Sequence, residues 1–368
     1  MKIFFVSDAR LPTEKAHGLA IMKTCEALAR AGADIELIVP DRRNAIPEDP
    51  FTYYAIKQRF PLRKLFTLDL IRFGYVGFLV QEFTFAVAAA RYLRGTDGMI
   101  YSRDDHVLWV LALCGYRRFI WESHTGGWNI AARAVARRAS ALVVISQGLK
   151  DVYVERGIAA EKIRVIPSAI DPEDFAHPES KEAARAQLGL SQNRKVAMYI
   201  GRLDGWKGSA TLLEAAKFLS PDVQVVVIGG EGWQVPALTQ EYPTVVFLGF
   251  RPYRALAHNQ AAADVLVVPN TGKDPISAHF TSPLKVIAHM ASGRPLVASD
   301  LPSIRELTGD NAALLIPADD PRALASGIER VLSNTALAER LVAQARERAV
   351  LYTWNARAER IVALCKGR

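Results

Sequence analysis

Short apolar runs alternate with amphipathic segments from the first residues of the chain. The apolar run Ile3 to Val6 predicts a first strand at residues 2–7, and a turn-rich stretch follows, after which apolar side chains recur at helical spacing between Leu19 and Ala29. Gly32 ends this predicted helix, and residues 35–40 form the next predicted strand. Strands separated by helices in this way indicate a parallel, doubly wound sheet.

The same alternation predicts the remaining strands of two sheets. They are expected at residues 99–101, 119–122 and 141–146, and then at 196–200, 223–228, 245–248, 265–268, 295–298 and 313–316. Their continuous Val and Ile runs are typical of parallel sheets that are covered on both faces. The predicted fold class is therefore α/β, with two Rossmann-like domains that face a cleft and bind ligands beyond the carboxyl ends of their strands.

A length of 368 residues also fits two domains. Pro, Asp and His residues gather at positions 167–178, between the two patterns, so we place the boundary there. The predicted division is residues 1–168, residues 169–350 and a final helical segment at 351–368. The three cysteines are widely spaced and odd in number, which favours a reducing compartment. The first residues pass directly into a strand, so no secretory signal is expected.

Positive charge is concentrated in the first half of the chain. The net charge is +8, and residues 1–168 contain 24 Lys and Arg against 17 Asp and Glu, whereas the rest contains 22 against 21. A basic half fits an anionic lipid, a nucleic acid or a phosphorylated ligand, and it also serves solubility alone. A hydrophobic content of 50% excludes a disordered chain.

Residues 57–90 combine a basic, aromatic segment with a long apolar one. Five cations lie close together in its first half: Lys57, Arg59, Arg63, Lys64 and Arg72. Glu82 would cost about 2.5–3.5 kcal/mol at the centre of a bilayer, which argues against a membrane span. Two interpretations remain. The segment lies on an anionic lipid surface, which the basic first half favours, or it is a core helix that follows a solvated loop.

The motif with the clearest chemistry runs from Gly201 to Gly208. Arg202 and Lys207 are five residues apart across a Gly-containing turn that follows a predicted strand and precedes a helix. Two cations at a helix N-terminus suit a diphosphate, because its charge needs neutralising and its oxygens need hydrogen-bond donors. A surface turn with two solvated charges is the alternative, and the agreement of strand, glycines and helix favours phosphate binding.

Two further glycines are weaker candidates for contact with a nucleotide. Gly18 lies between the first strand and the first helix, where the absence of a side chain would let an anionic ligand approach the helix N-terminus. Gly249 follows a strand of the second half and could let a flat base approach the backbone. A glycine in either place is also compatible with a simple turn. The three-glycine dinucleotide fingerprint is missing, which argues against an NAD-dependent dehydrogenase.

His124 follows the predicted strand at 119–122, at the edge where the cleft should open. A histidine there could donate a hydrogen bond to a substrate hydroxyl or steady a reacting carbonyl, although a lone histidine is often structural. No spacing typical of metal ligands occurs. The adjacent Asp104 and Asp105 are interpreted as surface or capping residues.

Taken together, these segments resemble glycosyltransferase family 4, whose fold is called GT-B, over nearly the whole chain. The resemblance rests on PTEKAHGLAIMKTCEALARAGADIELIVP, VVISQGLKD, VIPSAIDPEDF, GRLDGWKGSATLLEA, ADVLVVPN and SPLKVIAHMASGRPLVASDLPSIRE. It implies transfer of a sugar from a nucleotide-diphosphate donor to an acceptor hydroxyl with retention of configuration. It also implies an acceptor-side N-terminal domain, a donor-binding C-terminal domain and a last helix that packs back on the first.

The resemblance also assigns roles to matching positions. Arg202 and Lys207 correspond to the pair that holds the donor diphosphate and stabilises the leaving group. Gly18 corresponds to the glycine beside the donor phosphate, and His124 to the histidine that faces the transferred sugar. Ser282, Pro283 and Leu284 correspond to the turn whose backbone amides meet phosphate at a helix N-terminus.

Two positions depart from the pattern that the resemblance implies. Many relatives carry two glutamates with seven residues between them, where this chain has Phe280 and Ala288. The second glutamate commonly binds the donor ribose, and alanine cannot accept a hydrogen bond from those hydroxyls. The difference fits either a subgroup with another ribose contact or a catalytically silent GT-B domain that binds a glycan, lipid or protein partner.

The leading hypothesis is a retaining, metal-independent glycosyltransferase in cell-envelope or lipid-linked glycan synthesis. No cofactor is expected besides the nucleotide-sugar co-substrate, because the leaving diphosphate can be stabilised by fixed cations and amides. The expected partners are the donor, a glycan or lipid-linked acceptor and an anionic membrane surface, with no nucleic acid. The expected location is the cytoplasm, including the inner face of the plasma membrane.

Overall fold

A computed structural model of the protein describes residues 1–203 and 205–367. Asp204, in the predicted phosphate-binding segment, and Arg368, at the end of the predicted final segment, lie outside the described residues. The chain forms two compact units. The first contains Met1–Pro167 and the chain from Trp354 onward, and the second contains Ser168–Thr353.

The first unit is built on a parallel sheet of seven strands. In chain order these are β1 (Lys2–Val6), β2 (Asp34–Pro40), β3 (Leu62–Leu65), β4 (Met99–Ser102), β5 (Phe119–Ser123), β6 (Ala141–Val144) and β7 (Ile163–Val165). Their spatial order is β3-β2-β1-β4-β5-β6-β7. Six helices connect them: α1 (Ala16–Arg30), α2 (Pro50–Tyr53), α3 (Gly74–Leu93), α4 (Asp105–Leu113), α5 (Ile130–Arg138) and α6 (Gln147–Glu155).

The second unit repeats the scheme with six parallel strands. They are β8 (Lys195–Ile200), β9 (Val223–Ile228), β10 (Val245–Phe247), β11 (Val265–Val268), β12 (Leu296–Ser299) and β13 (Leu314–Ile316), in the spatial order β10-β9-β8-β11-β12-β13. Its helices are α7 (Lys181–Leu188), α8 (Ser209–Ala215), α9 (Gln234–Glu241), α10 (Leu256–Ala261), α11 (Leu284–Ala291), α12 (Pro302–Thr308), α13 (Pro321–Ser333) and α14 (Thr335–Ala349). The α/β fold class with two Rossmann-like sheets is confirmed.

The last helix, α15 (Trp354–Cys365), belongs to the first unit and packs on α1. Trp354 is buried, and the Arg357 guanidinium donates through Nη1 to the carbonyl oxygens of Ile166 and Pro167, both at 2.6 Å. These two hydrogen bonds and the burial of Trp354 hold α15 on the first unit.

Strand order in each sheet reverses direction beside the first strand of the unit. In the first unit the reversal lies between β1 and β4, and in the second it lies between β8 and β11. At such a point the connecting helices leave to opposite faces of the sheet, so a crevice opens beyond the carboxyl ends of the two strands. The segments after these four strands are therefore the places where ligands are expected.

Two strands were missing from the sequence-based prediction. β3 lies at the edge of the first sheet, and its central residues Arg63 and Lys64 are exposed. Cations are typical of edge strands, because they discourage pairing with another chain, and here they made the segment resemble a solvated loop. β7 is the opposite edge and has only three residues, which is too short for a periodic pattern.

Helix α3 carries its polar residues inside and many of its apolar residues outside. Gln81 and Glu82 are buried, whereas Tyr75 and Phe83 are 71% and 59% exposed. The helical stretch at residues 71–93 has the length and composition needed to cross a membrane, a test that buried core helices also pass. The interpretation of α3 as an ordinary core helix is therefore wrong for its outer face, which is apolar and exposed.

Candidate active site

In the second unit, the turn after β8 is held tightly against neighbouring loops. The Gly201 amide donates to the carbonyl oxygen of Ile228 at 2.9 Å. Gly208, at the N-terminus of α8, has a φ of +70°, and a Cβ there would overlap the carbonyl oxygen of Pro269. Only glycine combines this positive φ with the absence of a Cβ, so Gly208 lets the turn pack directly against the end of β11.

Arg202 and Lys207 project from this turn. The Tyr199 hydroxyl donates to the carbonyl oxygen of Arg202 at 2.6 Å and so fixes the backbone that carries the exposed Arg202 side chain. Lys207 ends a 3₁₀ turn, with its Nζ 3.5 Å from the centre of the Trp206 ring. The two predicted phosphate-binding cations thus lie at the switch point of the second sheet.

Ser282, Pro283 and Leu284 lead into helix α11 on the same side of the unit. Ser282 is buried and its hydroxyl accepts from the Ser168 amide at 3.0 Å, Pro283 occupies the N-cap position and Leu284 begins the helix. The first amides of a helix have no partner within it and attract anions. The π-helical turn Ile276–Phe280, just before this segment, contacts the 3₁₀ turn that carries Lys207.

Several buried polar atoms at this edge have no hydrogen-bond partner among the described residues. They are both side-chain amide atoms of Asn270, the hydroxyls of Ser277 and Thr281, and the Lys285 ammonium. Buried polar groups in folded proteins are nearly always paired, so a group of unpaired ones beside two cations indicates a place for a polar ligand. The sequence motifs did not identify these four residues, because their burial depends on tertiary packing.

Gly249 lies beside the glycines that follow β8 and β9. The Gly229 amide donates to the carbonyl oxygen of Gly249 at 2.8 Å, and a Cβ on Gly229 would overlap the carbonyl oxygen of Gly201. Gly249 itself has a φ of +66° and open space around it. The turns after three adjacent strands therefore meet here, and contact of Gly249 with a base stays a prediction.

The two positions that depart from the family pattern lie in different surroundings. Ala288 is fully buried in the apolar core of the second unit, and Phe280 is partly exposed beside His279. His289, the neighbour of Ala288, is buried and its Nδ1 is 2.7 Å from the Gln260 side-chain nitrogen. Burial and the nearby Lys285 lower the pKa of His289 to about 3, so it is neutral at physiological pH.

In the first unit, His124 follows β5 directly and is paired with Glu122. Its Nε2 is 2.6 Å from a Glu122 carboxylate oxygen. Burial and the charge of Arg103 lower the pKa of His124, so the ring is neutral. Because a carboxylate only accepts, Nε2 carries the proton and Nδ1 is left as an acceptor. In this tautomer His124 can accept a hydrogen bond from a substrate hydroxyl instead of donating one.

Glu122 is the centre of a buried charged network. It is completely buried and forms ion pairs with Arg103 at 3.0 Å and Arg357 at 2.6 Å, and it accepts from the hydroxyl of Tyr101. Burial alone would raise the pKa of Glu122, but the two guanidinium groups outweigh it and hold the pKa well below its usual range. The carboxylate is therefore a fixed negative charge behind His124.

Gly18 lies in the first turn of α1 and is explained by packing. A Cβ there would overlap the hydroxyl of Tyr54 and the methyl group of Thr13, and the Gly18 amide donates to the carbonyl oxygen of Lys15 at 3.1 Å. The glycine thus lets the loop after β1 close on Tyr54. Contact of this residue with phosphate stays a prediction.

Asp8, which sequence reasoning missed, lies with Asp104 and Glu82 at the switch point of the first sheet. Asp8, just after β1, accepts from the Gln81 side chain at 2.6 Å, and its amide donates to Asp104 at 2.8 Å. Burial and the charge of Asp104 raise the pKa of Asp8 to about 7. Next to it Glu82 is 2.8 Å from His106. Among residues 1–203 and 205–367, no three His, Cys, Asp or Glu side chains are arranged to hold a metal ion.

Two family descriptions match the chain, one in each half. "Glycosyltransferase Family 4" matches residues 19–174 and "Glycosyl transferases group 1" matches residues 194–334. Among curated proteins, the phosphatidyl-myo-inositol mannosyltransferase of Mycobacterium tuberculosis is 32% identical over 208 residues, which cover 54% of this chain and 52% of that protein. The D-inositol 3-phosphate glycosyltransferase of Corynebacterium urealyticum is 28% identical over 243 residues, 61% of this chain and 56% of that protein. The chain thus spans about half the length of the curated relatives it matches.

Solved structures show the same fold at low identity. Sucrose-phosphate synthase from Thermosynechococcus elongatus has a TM-score of 0.80 and 22% identity, covering 100% of this chain and 98% of that one. Anabaena Alr3699/HepE in complex with UDP-glucose has a TM-score of 0.79 and 19% identity, with complete coverage of both chains. The two family matches confirm the resemblance found in the sequence, and the solved structures show the fold. The chain belongs to glycosyltransferase family 4 and has the GT-B fold.

Proposed function

We propose that the protein transfers a sugar from a nucleotide-diphosphate donor to an acceptor hydroxyl, with retention of configuration and without a metal ion. The observation that carries the proposal is the placement of Arg202 and Lys207 at the switch point of the second sheet, beside the N-terminus of α11. Neither the described residues nor the comparisons favour the catalytically silent alternative.

The second unit would bind the donor. As the bond between sugar and phosphate breaks, negative charge grows on the departing diphosphate. Arg202, Lys207 and the helix amides after Pro283 are fixed by the fold, so they would stabilise that charge without reorganising during the reaction. Orientation and charge at this site would then replace the metal ion that other transferases use to neutralise their leaving group.

The first unit would bind the acceptor and the reacting face of the sugar. The Nδ1 atom of His124, held as an acceptor by Glu122, would accept a hydrogen bond from a hydroxyl of the transferred sugar. The acceptor hydroxyl would attack from the side that the diphosphate leaves, and a phosphate oxygen would take its proton. Retention follows from this geometry, and no protein base is required.

The acceptor is proposed to be a lipid-linked or cell-envelope glycan presented at a membrane. One curated relative is named as a mannosyltransferase acting on phosphatidyl-myo-inositol. On this chain an exposed apolar surface lies next to exposed cations. It consists of Phe66, Leu68, Phe73, Tyr75, Val76, Leu79 and Phe83, with Arg63, Lys64 and Arg72. Apolar side chains flanked by cations suit the surface of an anionic bilayer, so peripheral binding to the cytoplasmic face is proposed.

A transfer assay tests the proposal. Radiolabelled UDP-, GDP- and ADP-sugars are offered with lipid extracts as acceptors, and transfer is expected from one donor class. Arg202→Ala and Lys207→Ala should each abolish it, whereas Lys217→Ala, an exposed cation of the same unit paired with Glu214, should not. Full activity in both Arg202→Ala and Lys207→Ala would show that the site is wrongly assigned.

A further inference from the structure

Lys285 is a half-buried lysine of the second unit, in the SPLKV segment, to which the sequence assigned no role. It is the second residue of α11, and its Nζ is buried with no hydrogen-bond partner in the part of the chain that the structure describes. The Nζ lies 4.7 Å from the centre of the Tyr199 ring. A ring face attracts a cation, but it satisfies none of the three N–H groups of an ammonium.

The position of Lys285 links it to the turn that carries the predicted phosphate ligands. Tyr199, whose ring contacts the Lys285 ammonium, uses its hydroxyl to hold the carbonyl oxygen of Arg202. Lys207, from the same turn, is close enough for its charge to act on Lys285. Lys285 therefore lies against the Arg202 turn, at the N-terminus of α11.

The surroundings of Lys285 disfavour its protonated form. Burial and the charge of Lys207 lower the pKa of Lys285 well below its usual range. The other titratable group coupled to it is His289, one turn further along α11, which is neutral. A buried ammonium is normally paired or hydrogen-bonded, so this arrangement is costly unless an anion joins it.

We propose that Lys285 is a third cationic ligand of the donor diphosphate, added to Arg202 and Lys207. The inference rests on the proposed function and names a residue that the motif pattern did not supply. The diphosphate of a nucleotide sugar carries two negative charges, and the departing nucleoside diphosphate carries a third, which matches three cations. When the diphosphate binds, the Lys285 amine takes up a proton from solvent and donates the resulting N–H groups to phosphate oxygens. Donor binding is thereby coupled to proton uptake.

The test measures nucleoside diphosphate binding by titration calorimetry. UDP, GDP and ADP are screened with the wild type at pH 8.5, where a phosphate with a second pKa of about 6 is fully ionised, so that any proton taken up enters the protein. Titrations in buffers of different ionisation enthalpy give the number of protons. The best-binding diphosphate is then compared with its monophosphate and its nucleoside.

Lys285→Met should bind the diphosphate at least tenfold more weakly than the wild type and show no proton uptake. Its loss of affinity should be smaller for the monophosphate, and its affinity for the nucleoside should be unchanged. Its melting temperature without ligand should equal or exceed that of the wild type, because a buried amine without a hydrogen-bond partner has been removed. Lys217→Met is the matched control and should keep wild-type affinity and uptake. Lys285→Arg, whose guanidinium stays charged, should bind without proton uptake and covers the case in which Lys285→Met does not fold.

Several outcomes would overturn the inference. These are an unchanged diphosphate affinity in Lys285→Met, an equal loss for diphosphate and nucleoside, and proton uptake that is absent from the wild type or survives in Lys285→Met. If Arg202→Ala and Lys207→Ala still lose binding, the proposed function stands while this inference fails. If none of the three diphosphates binds the wild type, both fail.

Discussion

Replacing Glu122 with Gln should destabilise the first unit strongly, although the two side chains have nearly the same volume. Glu122 is completely buried and its charge is shared between Arg103 and Arg357, which are also largely buried. The variant would leave two guanidinium groups without their counter-ion. Removing one partner of a buried ion pair costs about 3–5 kcal/mol, whereas an exposed pair contributes about 1 kcal/mol or less.

That cost converts into a measurable shift of the melting temperature. For units of this size 1 kcal/mol corresponds to about 2–4 °C, so a decrease of roughly 6–20 °C is expected. Urea denaturation followed by circular dichroism provides the free energy of unfolding directly. Glu214→Gln, in the exposed pair with Lys217, is the control and should leave the midpoint unchanged.

The pH dependence identifies the cause. The folded-state pKa of Glu122 lies well below its usual 4.5, so the carboxylate contributes stability above about that pH and loses it as the pH falls towards the folded-state value. The difference between wild type and Glu122→Gln should therefore be constant at neutral pH and shrink below pH 4.5. A loss no larger than that of Glu214→Gln, or a difference independent of pH, would refute the reasoning.

Three more predictions concern other parts of the molecule. Asp8→Asn should become more stable relative to the wild type, by up to about 4 kcal/mol, as the pH rises from 4 to 7. The raised pKa of about 7 means that the wild type is stabilised by a protonated Asp8 and loses this stabilisation when Asp8 ionises. Urea midpoints of both proteins at pH 4 and pH 8 check this, and an equal difference at the two pH values would contradict it. Gly208→Ala should lower the free energy of unfolding by more than about 1–2 kcal/mol, because the positive φ of Gly208 and the carbonyl oxygen of Pro269 exclude a Cβ. Gly205→Ala is the control in the same denaturation assay and should have little effect, since the space around Gly205 is open. Tyr75→Ser combined with Phe83→Ser should reduce co-sedimentation with anionic vesicles at least tenfold, because each buried aromatic side chain contributes about 1.5–3 kcal/mol, and unchanged sedimentation would rule out this surface as the membrane contact.

Most strands could be predicted from the sequence because their signal is local. A run such as Val223–Ile228 is apolar, β-branched and bounded by turn residues, and its bounds agree with the structure. The edge strands β3 and β7 escaped prediction for different reasons. β3 presents cations to solvent and β7 is very short, so neither has the composition of a buried strand.

The candidate site was predicted only where its residues form a continuous motif. Arg202, Lys207 and Ser282 to Leu284 stand in recognisable segments, and the structure places them at one edge of the second unit. Lys285 and Asn270 also lie in segments that carry the family resemblance, but nothing in the sequence assigns them a role. They became candidates because packing buries their polar atoms without partners, and burial depends on elements that are distant in the chain.

The sequence by itself determined the α/β class, the two repeated sheets and the position of the turn that we predict to bind phosphate, because strand periodicity and glycine-containing turns depend on neighbouring residues. Tertiary structure alone decided the charges within the site. The raised pKa of Asp8, the neutral state of His124 and the unpaired Nζ of Lys285 all arise from groups brought together across the fold. Desolvation and Coulomb interactions act through space, and so they follow the packing of the chain instead of its order.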